Sequence, residues 1–267
     1  MNAPERRRVG NVAFSVETLD QAIGDVIQLA GDVTETPSAG PRKSGRAVHF
    51  ANAYNVALAR GDVDYARLLS QGDRVFSDGV PITWVGRRAY PDVAAEWQRV
   101  YGPDVMQGIL ERSGEAGPRH YLLGGSPETL AALQSRISAD YPAALVVGAE
   151  SPPFDVPTET DLNARDARIR ASGASIVWVG LGTPKQDWEV RRIANGLPVV
   201  AMAVGAAFDF LAGTKPQAPE WMQNNGLEWA FRLASEPGRL GRRYLWGNSV
   251  FLEESVRTMA SIRKAPN

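Results

Sequence analysis

Short apolar runs alternate along this chain with longer segments whose apolar positions recur every three or four residues. The clearest pair is Ile176-Val177-Trp178-Val179-Gly180 and Val199-Val200-Ala201-Met202-Ala203-Val204-Gly205, with a polar segment of helical period between them. Strands buried on both faces of a parallel sheet read as continuous apolar runs, and the helices covering such a sheet carry the 3.6-residue period. The stretch 176–210 therefore predicts a βαβ unit. The same alternation marks strands at Val12–Val16, Ala47–Ala51, Arg74–Phe76, Arg119–Leu123 and Leu145–Gly148. A helix is expected from Thr18 or Asp20 to about Leu29, then a surface loop over 31–45. The count predicts an α/β chain with a doubly wound, mostly parallel, Rossmann-like sheet of about six strands.

The pattern changes at Gly213. Lys215-Pro216-Gln217-Ala218-Pro219 does not fit regular structure, and short helices are expected at Glu220–Gln223 and Leu227–Leu233. The Pro- and Gly-containing stretch Pro237–Asn248 then leads to a last helix, Ser249–Ile262. The expected division is an α/β domain over 1–212 and a small helical appendage over 213–267. The appendage holds Trp221, Trp229 and Trp246 beside Arg232, Arg239, Arg242 and Arg243. Aromatic rings next to arginines suit a membrane interface with anionic headgroups, and equally an amphipathic face packed on the sheet domain or on a second subunit.

Composition narrows the function classes. A formal net charge of −1 excludes the strongly basic footprint of a dedicated nucleic-acid binder. With no cysteine and only His49 and His120, disulfides, thiolate zinc sites and histidine-rich metal sites are excluded. No run approaches the roughly 20 apolar residues of a membrane span. The arginines at 6–8 are not followed by the apolar core of a signal peptide, so the protein is expected in the cytoplasm or on the cytoplasmic face of a membrane.

In open parallel sheets ligands bind at the carboxyl ends of the strands, and several polar residues fall there. Asn52 follows one strand and is read either as a helix cap or as a polar group facing a ligand. Asp78, in Ser77-Asp78-Gly79, is placed to be a general base, or simply part of an Asp-Gly turn. Gly124-Gly125-Ser126 and Gly182-Thr183-Pro184-Lys185-Gln186 let a ligand approach the backbone, with Lys185 and Gln186 adding side-chain donors for a phosphate. Arg99 precedes a helix and suits a diphosphate or a surface carboxylate. His120 reads as a structural residue at a strand edge, and Asp62-Val63-Asp64 as a solvated turn and cap, not a metal-holding Asp-x-Asp. There is no dinucleotide fingerprint and no P-loop.

Taken together, these pieces resemble one family, the WecG/TagA/CpsF glycosyltransferases (glycosyltransferase family 26). The resemblance rests on Asn52-Ala53, Ser77-Asp78-Gly79, Arg99-Val100-x-Gly102-x-Asp104-x-Met106, Leu122-Leu123-Gly124-Gly125, Val179-Gly180-Leu181-Gly182-x-Pro184-Lys185-Gln186 and Gly205–Gly213. It continues through Ala218-Pro219-x-Trp221-Met222-Gln223, Gly226-Leu227-Glu228-Trp229, Arg232-Leu233, Glu236-Pro237 and Arg242-Arg243-Tyr244. These run in the family's order over nearly the whole chain.

The resemblance implies metal-independent, inverting transfer of a sugar from a UDP-sugar to a lipid-linked, polyprenyl-diphosphate acceptor on the inner membrane face, with no cofactor. It implies Asp78 as base, Arg99 as the stabiliser of the departing diphosphate, and Gln186 as a residue orienting donor or acceptor. Asn52, Gly124, Gly125, Ser126, Gly182, Thr183, Pro184, Lys185 and Asp209 would contact substrate. Arg232, Arg239, Arg242 and Arg243 would grip the acceptor diphosphate and the membrane. Phe50 stands where the best-studied branch has a threonine, so the donor stays open between UDP-N-acetylmannosamine, UDP-glucose and a uronic-acid type. A homo-oligomer is a further possibility. The competing readings are an epimerase-like nucleotide-sugar enzyme and a catalytically silent sugar-nucleotide-binding partner.

Overall fold

The computed structural model describes residues 4–34, 45–114, 117–153 and 155–263. In chain order the elements are β1 (Arg6–Val9), β2 (Val12–Ser15), α1 (Leu19–Thr34), β3 (Arg46–Ala51), α2 (Ala53–Gly61), α3 (Val63–Ser70), β4 (Arg74–Ser77) and α4 (Val80–Ala89). After a 3₁₀ turn at Pro91–Val93 come α5 (Gly102–Glu111), β5 (Arg119–Gly124), α6 (Pro127–Asp140), β6 (Leu145–Glu150), α7 (Glu159–Ser172), β7 (Ile176–Gly180), α8 (Lys185–Gly196) and β8 (Val200–Ala203). The chain continues through α9 (Ala207–Leu211), α10 (Glu220–Asn224), α11 (Glu228–Ser235) and α12 (Pro237–Arg263).

The expected α/β class is what the chain forms. Strands β3 to β8 make one six-stranded parallel sheet in the order β4-β3-β8-β7-β5-β6. The predicted βαβ unit is β7-α8-β8, whose strands are neighbours with Ile176 level with Val200 and Val179 level with Ala203. All eight residues 176–179 and 200–203 are buried, which is why both strands read as unbroken apolar runs.

Packing divides the chain into two compact units. The first comprises Met1–Leu19, Phe50–Tyr101 and Gln217–Asn267, and the second Asp20–His49 and Gly102–Pro216. The first has its own core, in which Val9, Phe14, Val56, Tyr65, Val75, Trp97 and Phe251 are buried together. The segment expected as an appendage thus supplies Phe251 of α12 to the same core as the hairpin β1-β2. The second unit centres on Val177, Val179 and Ala201 of the sheet, with Val190 and Ile193 of α8 packed on them.

Four expectations are corrected. Val12–Ser15 is not a strand of the main sheet; it pairs antiparallel with β1, Arg6 opposite Ser15. The arginines at 6–8 hid that strand, because they break the apolar pattern. Arg6 is nevertheless satisfied there, its Nη2 donating to the carbonyls of Gly72 (2.6 Å) and Asp73 (2.8 Å).

The last helix does not begin at Ser249. It is continuous from Pro237, whose missing N–H costs nothing in a first helical turn. Gly247, placed before the last helix in the sequence reading, lies inside it, where a Cβ would come 3.0 Å from the Tyr54 ring. His120, in turn, is no edge residue: β5 lies between β7 and β6, and the side chain is fully buried. Helix α1 runs on to Thr34, past the expected end near Leu29 and the expected loop start at 31, and the rest of that expected loop, 35–44, lies outside the described residues. The turn reading of Asp62 holds, since its carboxylate caps α3 by accepting from the N–H groups of Asp64 and Tyr65.

Candidate active site

The first unit gathers five polar residues, Asp78, Arg99, Tyr101, Gln223 and Glu228, near the end of β4. Asp78 follows that strand directly, and its backbone N–H donates to the Ala51 carbonyl at 3.0 Å. Gly79 caps α4 with no side-chain bond, and proline enters the first turn, so the chain turns away at once and leaves Asp78 half-buried. Arg99 is anchored beside it. Its Nε donates to the Asp78 carbonyl (3.3 Å), Nη1 to Oε1 of Gln223 (3.3 Å) and Nη2 to Oε2 of Glu228 (2.6 Å). The guanidinium lies 3.8 Å over the Tyr101 ring, and the Tyr101 hydroxyl donates to the other Glu228 oxygen at 2.7 Å.

The electrostatics of this cluster are strongly coupled. Burial first of all raises the Glu228 carboxyl; Arg99 and the Tyr101 hydrogen bond pull it back, and the charge of Asp78 pushes it up again. Burial, then Glu228 and Asp78, drive the Tyr101 hydroxyl far above its ordinary range, so it stays a proton donor to Glu228. Arg232, on the same helix as Glu228, adds a further positive charge that favours the carboxylate.

Asn52 acts as a helix cap. Its side chain accepts from the N–H of Tyr54, and Asn55 returns a bond to the Asn52 backbone, which makes a reciprocal box at the start of α2. Two residues earlier Phe50 is buried, its ring 5.5 Å from that of Phe76. On α12, Arg243 lies 4.0 Å over the Tyr54 ring and Arg242 is exposed; the side chain of Arg239 lies outside the described residues.

The second unit brings together the glycine turns. Gly124 is level with Gly180 across β5 and β7, and the Gly125 N–H donates to the Gly180 carbonyl. Gly124 has φ 122°, and a Cβ there would meet the Gly180 carbonyl oxygen at 2.5 Å, so no other residue fits. Ser126 caps α6 through the Thr129 N–H, as the sequence predicts.

Gln186 is the brace of this region. Only 3% exposed, it accepts from the Gly182 N–H at 3.0 Å and donates to the Ala203 carbonyl at 3.1 Å. One side chain therefore ties the turn after β7 to the end of β8. Gly182, Pro184 and Lys185 are exposed and Thr183 half-buried, so that turn presents itself to solvent. Asp209 pairs with Lys215 at 3.1 Å.

The expected site residues thus fall into two groups. Asp78, Arg99, Asn52 and the tail arginines belong to the first unit; Gly124, Gly125, Ser126, Gly182–Gln186 and Asp209 belong to the second. Tyr101, Gln223 and Glu228 carried no role in the sequence reading. Each stands within or next to a motif quoted there, but nothing in spacing says that Arg99 meets a residue more than a hundred positions away. Among the described residues no three His, Asp or Glu side chains come together as metal ligands.

A six-stranded parallel sheet flanked by helices defines an α/β protein, a class whose ligands bind at the carboxyl ends of the strands. The chain belongs to the glycosyl transferase WecG/TagA/CpsF family, whose model matches residues 12–265, nearly the whole length. It is a glycosyltransferase of cell-surface polysaccharide synthesis.

Proposed function

We propose that the protein moves a sugar from a UDP-sugar to a polyprenyl-diphosphate-linked acceptor, inverting the anomeric carbon and using no metal ion. The observation that carries this reading is the anchoring of Arg99 on the Asp78 carbonyl, which holds a fixed positive charge next to a candidate base. The acceptor hydroxyl oxygen attacks the anomeric carbon from the face opposite the nucleotide and Asp78 takes its proton. The bond from that carbon to the diphosphate oxygen breaks, and the electron pair leaves with UDP. Arg99 supplies the positive charge that stabilises this leaving group, a task metal ions perform in other transferases.

In this reading the Gly124-Gly125 and Gly182–Lys185 turns bind the nucleotide, with Gln186 holding the second turn in shape and Ser126 and Asp209 nearby in sequence. Asn52 serves mainly as the cap that fixes the start of α2. The tail arginines Arg232, Arg239, Arg242 and Arg243 attract the acceptor diphosphate and anionic headgroups, with the protein peripheral on the inner membrane face. No helix among the described residues is long and apolar enough to cross a membrane. A division of labour between 1–212 and the tail, and assembly as a homo-oligomer, belong to the same proposal.

Replacing Asp78 by Asn tests it. Transfer from a UDP-sugar to a diphosphate-lipid acceptor should fall by about 10²- to 10⁴-fold, with UDP binding retained. Turnover at the wild-type rate would remove Asp78 from the role of base.

A further inference from the structure

We propose that Glu228, delivered by the tail helix α11, is the positioning residue that sets the orientation of Arg99 for the transfer reaction. The inference rests on the function proposed above. A guanidinium is a planar fork with five N–H donors, and its value to a developing diphosphate charge depends on where that fork points. Left on a flexible stem, an arginine would sample many rotamers, and holding it costs entropy at the moment of reaction.

Here the cost is met in advance. Nε is tied to the Asp78 carbonyl, Nη1 to Gln223 and Nη2 to Glu228, which leaves one N–H on each terminal nitrogen. The Tyr101 ring closes one face at 3.8 Å. Glu228 is itself fixed by the Tyr101 hydroxyl, so Tyr101 serves twice, as a platform for the cation and as a clamp on its counter-ion. Gln223 is fixed in the same way, its Nε2 donating to the Ala218 carbonyl at 2.8 Å. The Arg99 and Glu228 side chains are only 15% and 19% exposed, so solvent screens the pair weakly.

The counter-ion has a second effect. A carboxylate on Arg99 lowers the net positive charge offered to an anion, so an enzyme selected only for tight UDP binding would lack it. Geometry gained at the expense of charge is the signature of a residue that serves the transition state more than the ground state. This separates Glu228 from a residue that merely holds the fold, because the two roles move different measured quantities.

The experiment uses the full chain, a responsive UDP-sugar and a diphosphate-lipid acceptor, and measures kcat, the UDP dissociation constant by calorimetry, and the thermal midpoint. Glu228→Gln keeps the shape and removes the charge. The expected result is a fall in kcat of about 10- to 100-fold, UDP binding within about threefold of wild type or tighter, and a midpoint within a few degrees. An unchanged kcat would overturn the inference, and so would a folded variant in which UDP binding falls as far as kcat does. Tyr101→Phe deletes only the hydroxyl and decides the matter if Glu228→Gln does not fold. The same loss confined to kcat supports the inference, and wild-type kcat overturns it. If the wild-type chain itself neither binds UDP nor turns over any UDP-sugar, the proposed function fails and takes this inference with it, an outcome visible in the wild-type measurement alone.

Discussion

Gln186 holds Gly182. Its Oε1 accepts from the Gly182 N–H at 3.0 Å, and its Nε2 reaches the Ala203 carbonyl at 3.1 Å. The bond to Ala203 is buried and the one to Gly182 part-buried, so removing the amide leaves a buried carbonyl short of a donor, at about 1–3 kcal/mol. Gln186→Ala is expected to lower the urea midpoint accordingly and to weaken UDP binding by about tenfold, equivalent to 1.4 kcal/mol. Gln186→Glu keeps the acceptor but places an oxygen against the Ala203 carbonyl, and should be no better. UDP affinity unchanged by both would take the Gly182 turn out of the nucleotide site.

A pH effect follows from His120. The Trp178 indole can only donate, so its bond to Nδ1 at 3.2 Å fixes the neutral tautomer with the proton on Nε2. That proton faces Ser113 Oγ at 3.0 Å, whose own hydroxyl donates to the Ile109 carbonyl. A second proton on the ring would set N–H against N–H, and burial alone already lowers the His120 pKa to about 4 from 6.5. The folded state therefore binds this proton less readily than the unfolded chain. Its stability contribution is complete above pH 6.5, shrinks as pH falls towards 4, and is smaller by about 2 kcal/mol at pH 5 than at pH 8. Urea unfolding of wild type and His120→Gln should show a stability difference that changes between these two pH values. A difference that stays constant would contradict the linkage.

Metal independence has a direct check. If Arg99 supplies the charge, as proposed, saturating EDTA should leave the rate of transfer unchanged. Strict dependence on an added divalent ion would overturn that part of the mechanism.

Membrane contact calls for point substitutions, because Leu240 and Phe251 of α12 are buried and deleting the tail would empty part of a core. Trp221 and Leu245 are 62% and 76% exposed, and Arg242 is exposed on the same helix as Leu245. Replacing the first two by Ala and Arg242 by Gln should reduce sedimentation with anionic phospholipid vesicles by about tenfold, since each basic residue contributes about 1 kcal/mol near such a surface. Binding equal to wild type would argue against membrane contact through these three residues.

Much of the second unit was legible in the sequence because its information is local. An apolar run with a glycine at its end states both the buried strand and the turn, which is how 176–205 gave β7, α8 and β8. The cap at Ser126 was readable for the same reason. The first unit was less so. Arginines masked β1, where Arg6 is satisfied on the carbonyls of Gly72 and Asp73 and Arg7 on the carboxylate of Asp92. Glycines masked the first turns of α12, where at Gly247 the close neighbour is Tyr54. Position alone left Asp78 between a base and a turn and Arg99 between a diphosphate and a carboxylate, the resemblance favoured the first reading of each, and the Arg99–Glu228 pair is a tertiary fact with no periodicity to announce it.

The first unit is assembled from three separated stretches of chain, and this sets an order of events during synthesis. Its hairpin and the segment 50–101 leave the ribosome long before 217–267. Until α12 arrives, Val9, Val56 and Trp97 lack the Phe251 that completes their cluster, and such exposed apolar surface is what chaperones hold and proteases find. Arg99 likewise waits for Glu228. In the mechanism proposed above, the candidate base Asp78 and Arg99 of a nascent chain are not yet held together, and competence for transfer would arrive only when the last of the three stretches docks.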